Sequence, residues 1–353
     1  MPQKPRARDL GLPFPGTPGA LNAITDVPGV AVGFATLTDP ARNLRTGVTA
    51  IVPRPGRHAR PVRAGQATLN GNGEMTGTHW INDAGYFLGP VCITNTHSIG
   101  AVHHGATRWM IDTYAEHFAG HAWAMPVVAE TYDGLLNDIN AMAVTPDHAI
   151  AALNAASTGP VAEGSTGGGN GMIAYEFKAG TGTASRRVTL RGESFTLGVL
   201  VQANHGLRPW LTVLGKPVGR LMPEGAFRSA EMGSIIVVIA TDAPLSPLSL
   251  RHLARRAGLG LARGGTPGGN SSGDIFLAFS TAEAGPMPQH QGLRLTREEL
   301  NGEHLDPLYL AAVEAVEESV VNALVAGEDV PVFKPAGRIC PGIDTARLAG
   351  LFA

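Results

Sequence analysis

Apolar positions in this chain fall into short continuous runs set off by glycine- and proline-rich turns, and into a few longer stretches with helical spacing. The strongest run is Ile235-Ile236-Val237-Val238-Ile239-Ala240, directly after Gly233-Ser234. It lacks polar alternation and is rich in β-branched residues, which predicts a strand buried on both faces. Residues 30–34, 48–52, 187–190, 195–202, 211–214 and 275–280 predict further strands between turn signals. Helical spacing runs from Gly100 to His117, and Thr145-Pro146 is a cap and first-turn pair opening a helix through Ala156. Ser246-Pro247 starts another helix, with Leu250, Leu253, Ala254 and Ala257 on one face and Gly258 at its end. Asp306-Pro307 opens the clearest helix, which reaches Ala326 and is expected to bury Leu310, Val313, Val316, Val320 and Leu324. Residues up to about 20 are expected to wrap the surface. Strands and helices mixed without strict alternation favour an α+β fold of helices packed over sheets in layers.

Composition narrows the function classes. A chain of 353 residues with 44% hydrophobic and 16% charged content is long enough for a sizeable core. No repeat or clear linker divides it, so residues 1–353 are read as one domain. Net charge is −2, and no basic stretch carries interleaved aromatics, so a dedicated nucleic-acid binder is not expected. No run reaches the roughly 18 apolar residues of a membrane span. Cys92 and Cys340 give neither a disulfide framework nor a four-ligand zinc site. The basic N-terminus has no apolar core of a secretory signal, and a reducing cytoplasm fits best.

Several motifs carry candidate chemistry. Ser234 reads most simply as the first residue of a buried strand. The sharper reading is that the chain cuts itself between Gly233 and Ser234, leaving a serine with a hydroxyl nucleophile and a free α-amine. Glycine before the bond allows a strained backbone, and an α-amine with a reference pKa of about 7.7–8.0 can act as a base near neutral pH. Gly269-Asn270-Ser271-Ser272-Gly273 satisfies a nucleophile-elbow pattern around Ser271. That elbow needs a strand before and a helix after it, and here the order is reversed. The glycine-rich residues 71–77 match no phosphate-binding pattern. His97, His103 and His104 lack the spacing of a metal-binding helix. Asp133 and Asp138 flank Gly134 too early for a calcium loop and read as a polar turn. Asn204 ends a strand, where it is an ordinary turn residue or a donor to an oxyanion.

Taken in order, Asn72-Gly73-Glu74-Met75-Thr76-Gly77, Val128-Ala129-Glu130-Thr131-Tyr132-Asp133-Gly134, Gln202-Ala203-Asn204-His205-Gly206, Gly233-Ser234-Ile235, Ala240-Thr241-Asp242 and Gly269-Asn270-Ser271-Ser272-Gly273-Asp274 resemble the self-processing L-aminopeptidase/D-esterase family, which includes the β-aminopeptidases. The resemblance implies a layered αββα sandwich like that of N-terminal-nucleophile hydrolases with different connectivity, cut into residues 1–233 and 234–353. It implies Ser234 as nucleophile, Ser272 and Asp274 as a pair assisting proton transfer, Asn204 lining the oxyanion site and Tyr132 near the reacting carbonyl. Some relatives carry glutamate where this chain has Asp274. The substrate would be a small peptide, amide or ester, its free amine met by Glu130, Asp133 or Asp274. No metal or organic cofactor is needed, no nucleic-acid or membrane partner is expected, and the processed chains would form a homotetramer. Three alternatives stay open: acyl transfer like that of self-cleaving ornithine acetyltransferases, a conventional hydrolase centred on Ser271, and an uncleaved binding protein.

Overall fold

The structure, a computed structural model, describes residues 4–282 and 285–353. Along the chain come β1 (Ala31–Asp39), β2 (Leu44–Val52), β3 (Val62–Gly71), α1 (Thr78–Ala84), β4 (Tyr86–Phe87), β5 (Val91–Asn95), α2 (Ile99–Thr113), α3 (Ala115–Phe118), β6 (Val127–Thr131) and α4 (Pro146–Asn154). Then follow β7 (Ile173–Ala174), β8 (Phe177–Lys178), β9 (Gly180–Leu190), β10 (Glu193–Asn204), α5 (Val218–Leu221), β11 (Ser234–Thr241), α6 (Pro247–Arg263) and β12 (Gly273–Ser280). The chain closes with α7 (Asp306–Val325), β13 (Val330–Pro331), β14 (Ile339–Cys340) and α8 (Thr345–Gly350).

Two sheets carry the fold. One has the order β1-β2-β5-β6, the other β4-β3-β12-β11-β10-β9. In the larger sheet β10 and β11 are antiparallel, while β11 and β12 run parallel. Side chains of a strand alternate between its faces, and β11 shows what that alternation feeds. Ile236, Val238 and Ala240 join Val32, Ile51, Ile93, Val127 and Ala129 of the smaller sheet in a core between the sheets. Ile235, Val237 and Ile239 enter a second core with Leu250, Leu253 and Ala257 of α6 and Ala312, Ala315 and Val316 of α7. Each residue of the run is needed by one core or the other, which is why it reads as unbroken apolar sequence. At about 1.5–3 kcal/mol for each large aliphatic side chain removed from water, this strand anchors both layers. On the far side of the smaller sheet, Val48, Ala50, Cys92 and Val128 pack against Val102 and Ala106 of α2 and Ala149 and Leu153 of α4. The layers are therefore helix, sheet, sheet, helix, as the αββα expectation has it.

Several local expectations need correction. Helix α6 does not stop at Gly258 but runs to Arg263, because its apolar face continues through Gly260 and Leu261. Gly260 sits where a Cβ would meet the Val313 carbonyl of α7 at 2.7 Å, so it serves helix contact rather than termination. In α7, Leu310 is 50% exposed and Leu308 takes the buried place. Residues 211–214 form no strand. Leu211 and Val213 are buried as a turn, closed by a Val213–Lys216 bridge, and Leu214 has φ +47°. The N-terminal arm does more than wrap the surface: Ala7, Leu12 and Phe14 insert into the core under α7.

Candidate active site

The C-terminal end of β10 meets the N-terminal ends of β11 and β12, and the register brings Asn204, Ser234 and Gly273 side by side. Ser234 is 5% exposed and shares its strand face with Ile236 and Val238, so it points toward the space between the sheets. Gly233 lies so close to β10 that a Cβ there would stand 2.0 Å from the Asn204 carbonyl oxygen. Only glycine fits before Ser234.

Asn204 is held in a fixed orientation. Its Oδ1 accepts from the Ile173 amide at 2.9 Å and its Nδ2 donates to the Tyr132 carbonyl at 2.9 Å. An amide nitrogen carries two hydrogens, so one is left for another acceptor. Tyr132 follows β6 directly and its ring is partly exposed over Gly134, where a Cβ would meet the phenol oxygen at 2.2 Å. The neighbouring His205 is buried with its ring against Tyr175, 5.0 Å between centroids. Burial pushes its pKa down to about 4, so the imidazole is neutral at ordinary pH.

Across β11, Ser272 Oγ donates to Asp274 Oδ1 at 2.6 Å, and Asn70 Nδ2 donates to Asp274 Oδ2 at 3.0 Å. Burial raises the Asp274 pKa, opposed by Ser272, Asn70 and the Ile235 backbone amide. Ser272 is fully buried, whereas Ser271 is exposed in the turn with its carbonyl accepting from Asn72, and a strand rather than a helix follows it. The elbow geometry is absent at Ser271.

Of the acids named for the substrate amine, Asp274 belongs to this cluster and Glu130 borders it. Its Oε1 would stand 3.1 Å from a Cβ on Gly73, a position 3.3 Å from Gly273 Cα, and Gly273 is the register partner of Ser234. Glu130 accepts from the Glu74 amide at 3.0 Å and from the Thr96 hydroxyl, and burial raises its pKa. Asp133 instead turns into its own loop, accepting from Asn137, and burial pushes it up to about 6. Two side chains escaped the sequence reading. Asn70 holds Asp274 and stands opposite it in register, a relation only strand pairing reveals. Glu231, three residues before Ser234, accepts from the Gly206 amide at 2.6 Å and the Gly269 amide at 3.1 Å. Its closeness to the Gly-Ser pair was its one visible signal. An apolar cavity of about 360 Å³ lined by Trp80, Met110, Trp123 and Met125 contains none of these residues.

Two stacked sheets between helices, with hydroxyls, carboxylates and an amide gathered at strand ends, define a hydrolase of the N-terminal-nucleophile-like fold class. The chain belongs to peptidase family S58, whose family model matches residues 22–336. It is 50% identical over 346 residues to a beta-peptidyl aminopeptidase of Sphingosinicella microcystinivorans, covering 92% of this chain and 86% of that one. It superposes on the L-aminopeptidase D-Ala-esterase/amidase of Ochrobactrum anthropi with a TM-score of 0.93 and 56% identity, over 98% of this chain and 97% of that one. That protein is described as a prototype for the serine aminopeptidases and a new variant among the Ntn hydrolase fold. A beta-aminopeptidase of a Burkholderia species matches with a TM-score of 0.90 and 47% identity, covering 98% of each chain.

Proposed function

We propose that Ser234, freed by cleavage after Gly233, is the nucleophile of a serine aminopeptidase that releases N-terminal residues from short peptides, amides and esters. The observation that carries this reading is the register of Asn204, Ser234 and Gly273 at the ends of three adjacent central strands, with Ser272 and Asp274 alongside. In cleavage, Ser234 Oγ adds to the Gly233 carbonyl carbon and the Gly233–Ser234 C–N bond breaks. This leaves an ester on Oγ and a free α-amine. Water splits the ester, and Gly233 becomes a carboxylate.

In turnover, Oγ attacks the substrate carbonyl and its proton passes to the α-amine of Ser234 or to Ser272 relayed with Asp274. The same proton goes to the departing amine or alcohol, and water releases the acyl group as an acid. The remaining Asn204 N–H donates to the developing oxyanion, worth roughly 3–4 kcal/mol for one well-placed donor. Tyr132 stands at the mouth beside it. Glu130 receives the substrate ammonium, which fixes the scissile bond one residue from the N-terminus. The named activities of the relatives in Sphingosinicella, Ochrobactrum and Burkholderia support this substrate class. A homotetramer of processed chains in the cytoplasm goes with the reading, and light scattering after size exclusion tests the assembly.

The deciding experiment runs purified protein beside Ser234→Ala on a denaturing gel with intact-mass measurement, then assays aminoacyl p-nitroanilides. Fragments 1–233 and 234–353 with p-nitroaniline release, both absent from the variant, are expected. A wild-type chain that stays whole sinks the mechanism.

A further inference from the structure

The segment joining α5 to Ser234 is pinned along its length. Buried Arg208 donates from Nη1 to the Met222 carbonyl at 2.9 Å and the Glu224 carbonyl at 2.6 Å. Buried Glu176 accepts the backbone amides of Phe227 and Arg228, and that of Arg208 at 2.9 Å. At the far end Glu231 spans two loops. Its Oε1 takes the Gly206 amide, two residues after Asn204, and its Oε2 takes the Gly269 amide, three residues before Ser272. The seat is built for this carboxylate. Gly206 has φ +84°, and a Cβ on Gly269 would stand 2.2 Å from Glu231 Oε2. A side chain on either glycine strains the backbone or displaces the acid.

We infer that Glu231 is a positioning residue for chain cleavage, holding the Gly233–Ser234 peptide against Asn204 by clamping its own segment to the loops that bear Asn204 and Ser272. It neither moves a proton nor touches a substrate. Two residues before Gly233, it belongs to the end that cleavage releases, so its task finishes when the C–N bond breaks. Loss of Glu231 therefore slows cleavage and spares turnover. The inference rests on the reading of Ser234 as a self-exposed nucleophile.

The test follows newly synthesised full-length chain by denaturing gel for wild type, Glu231→Gln, Glu231→Asp and Ser234→Ala. Glu231→Gln is expected to cut roughly tenfold more slowly or worse, the loss of a charge-assisted bridge, with Glu231→Asp intermediate. The fraction of Glu231→Gln that has processed after long incubation is expected to show kcat and KM for an aminoacyl p-nitroanilide within about twofold of wild type. In the Ser234→Ala background, where chains stay whole, adding Glu231→Gln is expected to move the unfolding midpoint by less than about 5 °C. Cleavage of Glu231→Gln at the wild-type rate overturns the inference and leaves the nucleophile standing. A matching fall in kcat, or a larger drop in midpoint, overturns it in favour of a site-wide or folding role. Wild-type chain that never cuts removes the parent reading and this one together.

Discussion

Two of the buried carboxylates in this molecule, Glu318 and Asp274, are treated in opposite ways. Under the N-terminal arm, Glu318 of α7 has a side chain fully removed from water. It pairs with Arg8 at 2.8 Å and Arg186 at 2.7 Å and accepts from Asn22 at 2.6 Å. Burial would raise its pKa, yet Arg8, Arg186 and Asn22 together bring it below the usual glutamate range. At the strand ends, Asp274 is met by a hydroxyl, an amide and a backbone N–H, and burial wins: its pKa is raised. Glu231 nearby is also raised by burial and by the charge of Asp274, with Gly206, Gly269 and Arg228 opposing. Glu318, ringed by guanidinium groups, is thus held below the usual glutamate range, whereas Asp274, met by neutral donors, is held above the usual aspartate range. An acid perturbed as Asp274 is, beside Ser272, is a candidate for chemistry, whereas Glu318 ties the arm to the core.

Exchanging the two behaviours by mutation breaks the comparison most sharply. Glu318→Gln, made in whole-chain Ser234→Ala protein, leaves Arg186 and Arg8 against a neutral partner. It should cost about 3–5 kcal/mol in a urea titration. Asp274→Asn should do the reverse. Its kcat/KM should fall on the order of 100-fold, while whole-chain stability moves by less than about 1 kcal/mol. A stability loss in Asp274→Asn as large as that in Glu318→Gln would erase the distinction.

Acidity separates the two groups next. The folded pKa of Glu318 is depressed, so its contribution is present above the ordinary glutamate value and lost as pH falls through the folded one. Asp274 is raised, so its contribution is present below the ordinary aspartate value and lost as pH rises through the folded one. Unfolding midpoints measured across the acid range should lose their acid-side fall in Glu318→Gln and their fall with rising pH in Asp274→Asn. The smallest effect belongs to an exposed pair on the same arm. Lys4 and Glu328 are 3.3 Å apart with both side chains 49% exposed, and Lys4→Met should cost less than about 1 kcal/mol in the same titration.

The sequence disclosed what a single segment determines. The run after Ser234 announced a strand because its alternating side chains serve two cores, and α7 announced itself by a proline at its start and an apolar stripe. The role of Glu318 was not legible, since nothing local says that Arg8 and Arg186 converge on it from remote segments. Leu310 and Leu308 were confused for a related reason: the helix is buried nearly all round, so its stripe has no sharp edge. Ser234, Ser272, Asp274, Asn204 and Tyr132 were legible as an ordered set through resemblance. Asn70 and Glu231 became visible only once β3, β10 and the residue 269 turn were placed beside them.

In the larger sheet, β11 and β12 lie between β3 on one side and β10 on the other, and both flanking strands precede Gly233. A chain that cuts itself there ends as two polypeptides sharing one sheet: β11 and β12 of the 234–353 piece stay clasped between β3 and β10 of the 1–233 piece, which also holds both outer edges, β4 and β9. Before that lattice of hydrogen bonds exists, Gly233–Ser234 is an ordinary flexible peptide with no Asn204 beside it. On the reading proposed above, the cut would act as a checkpoint: a molecule would gain its nucleophilic amine only after its most long-range pairing is complete, and a misassembled copy would stay inert.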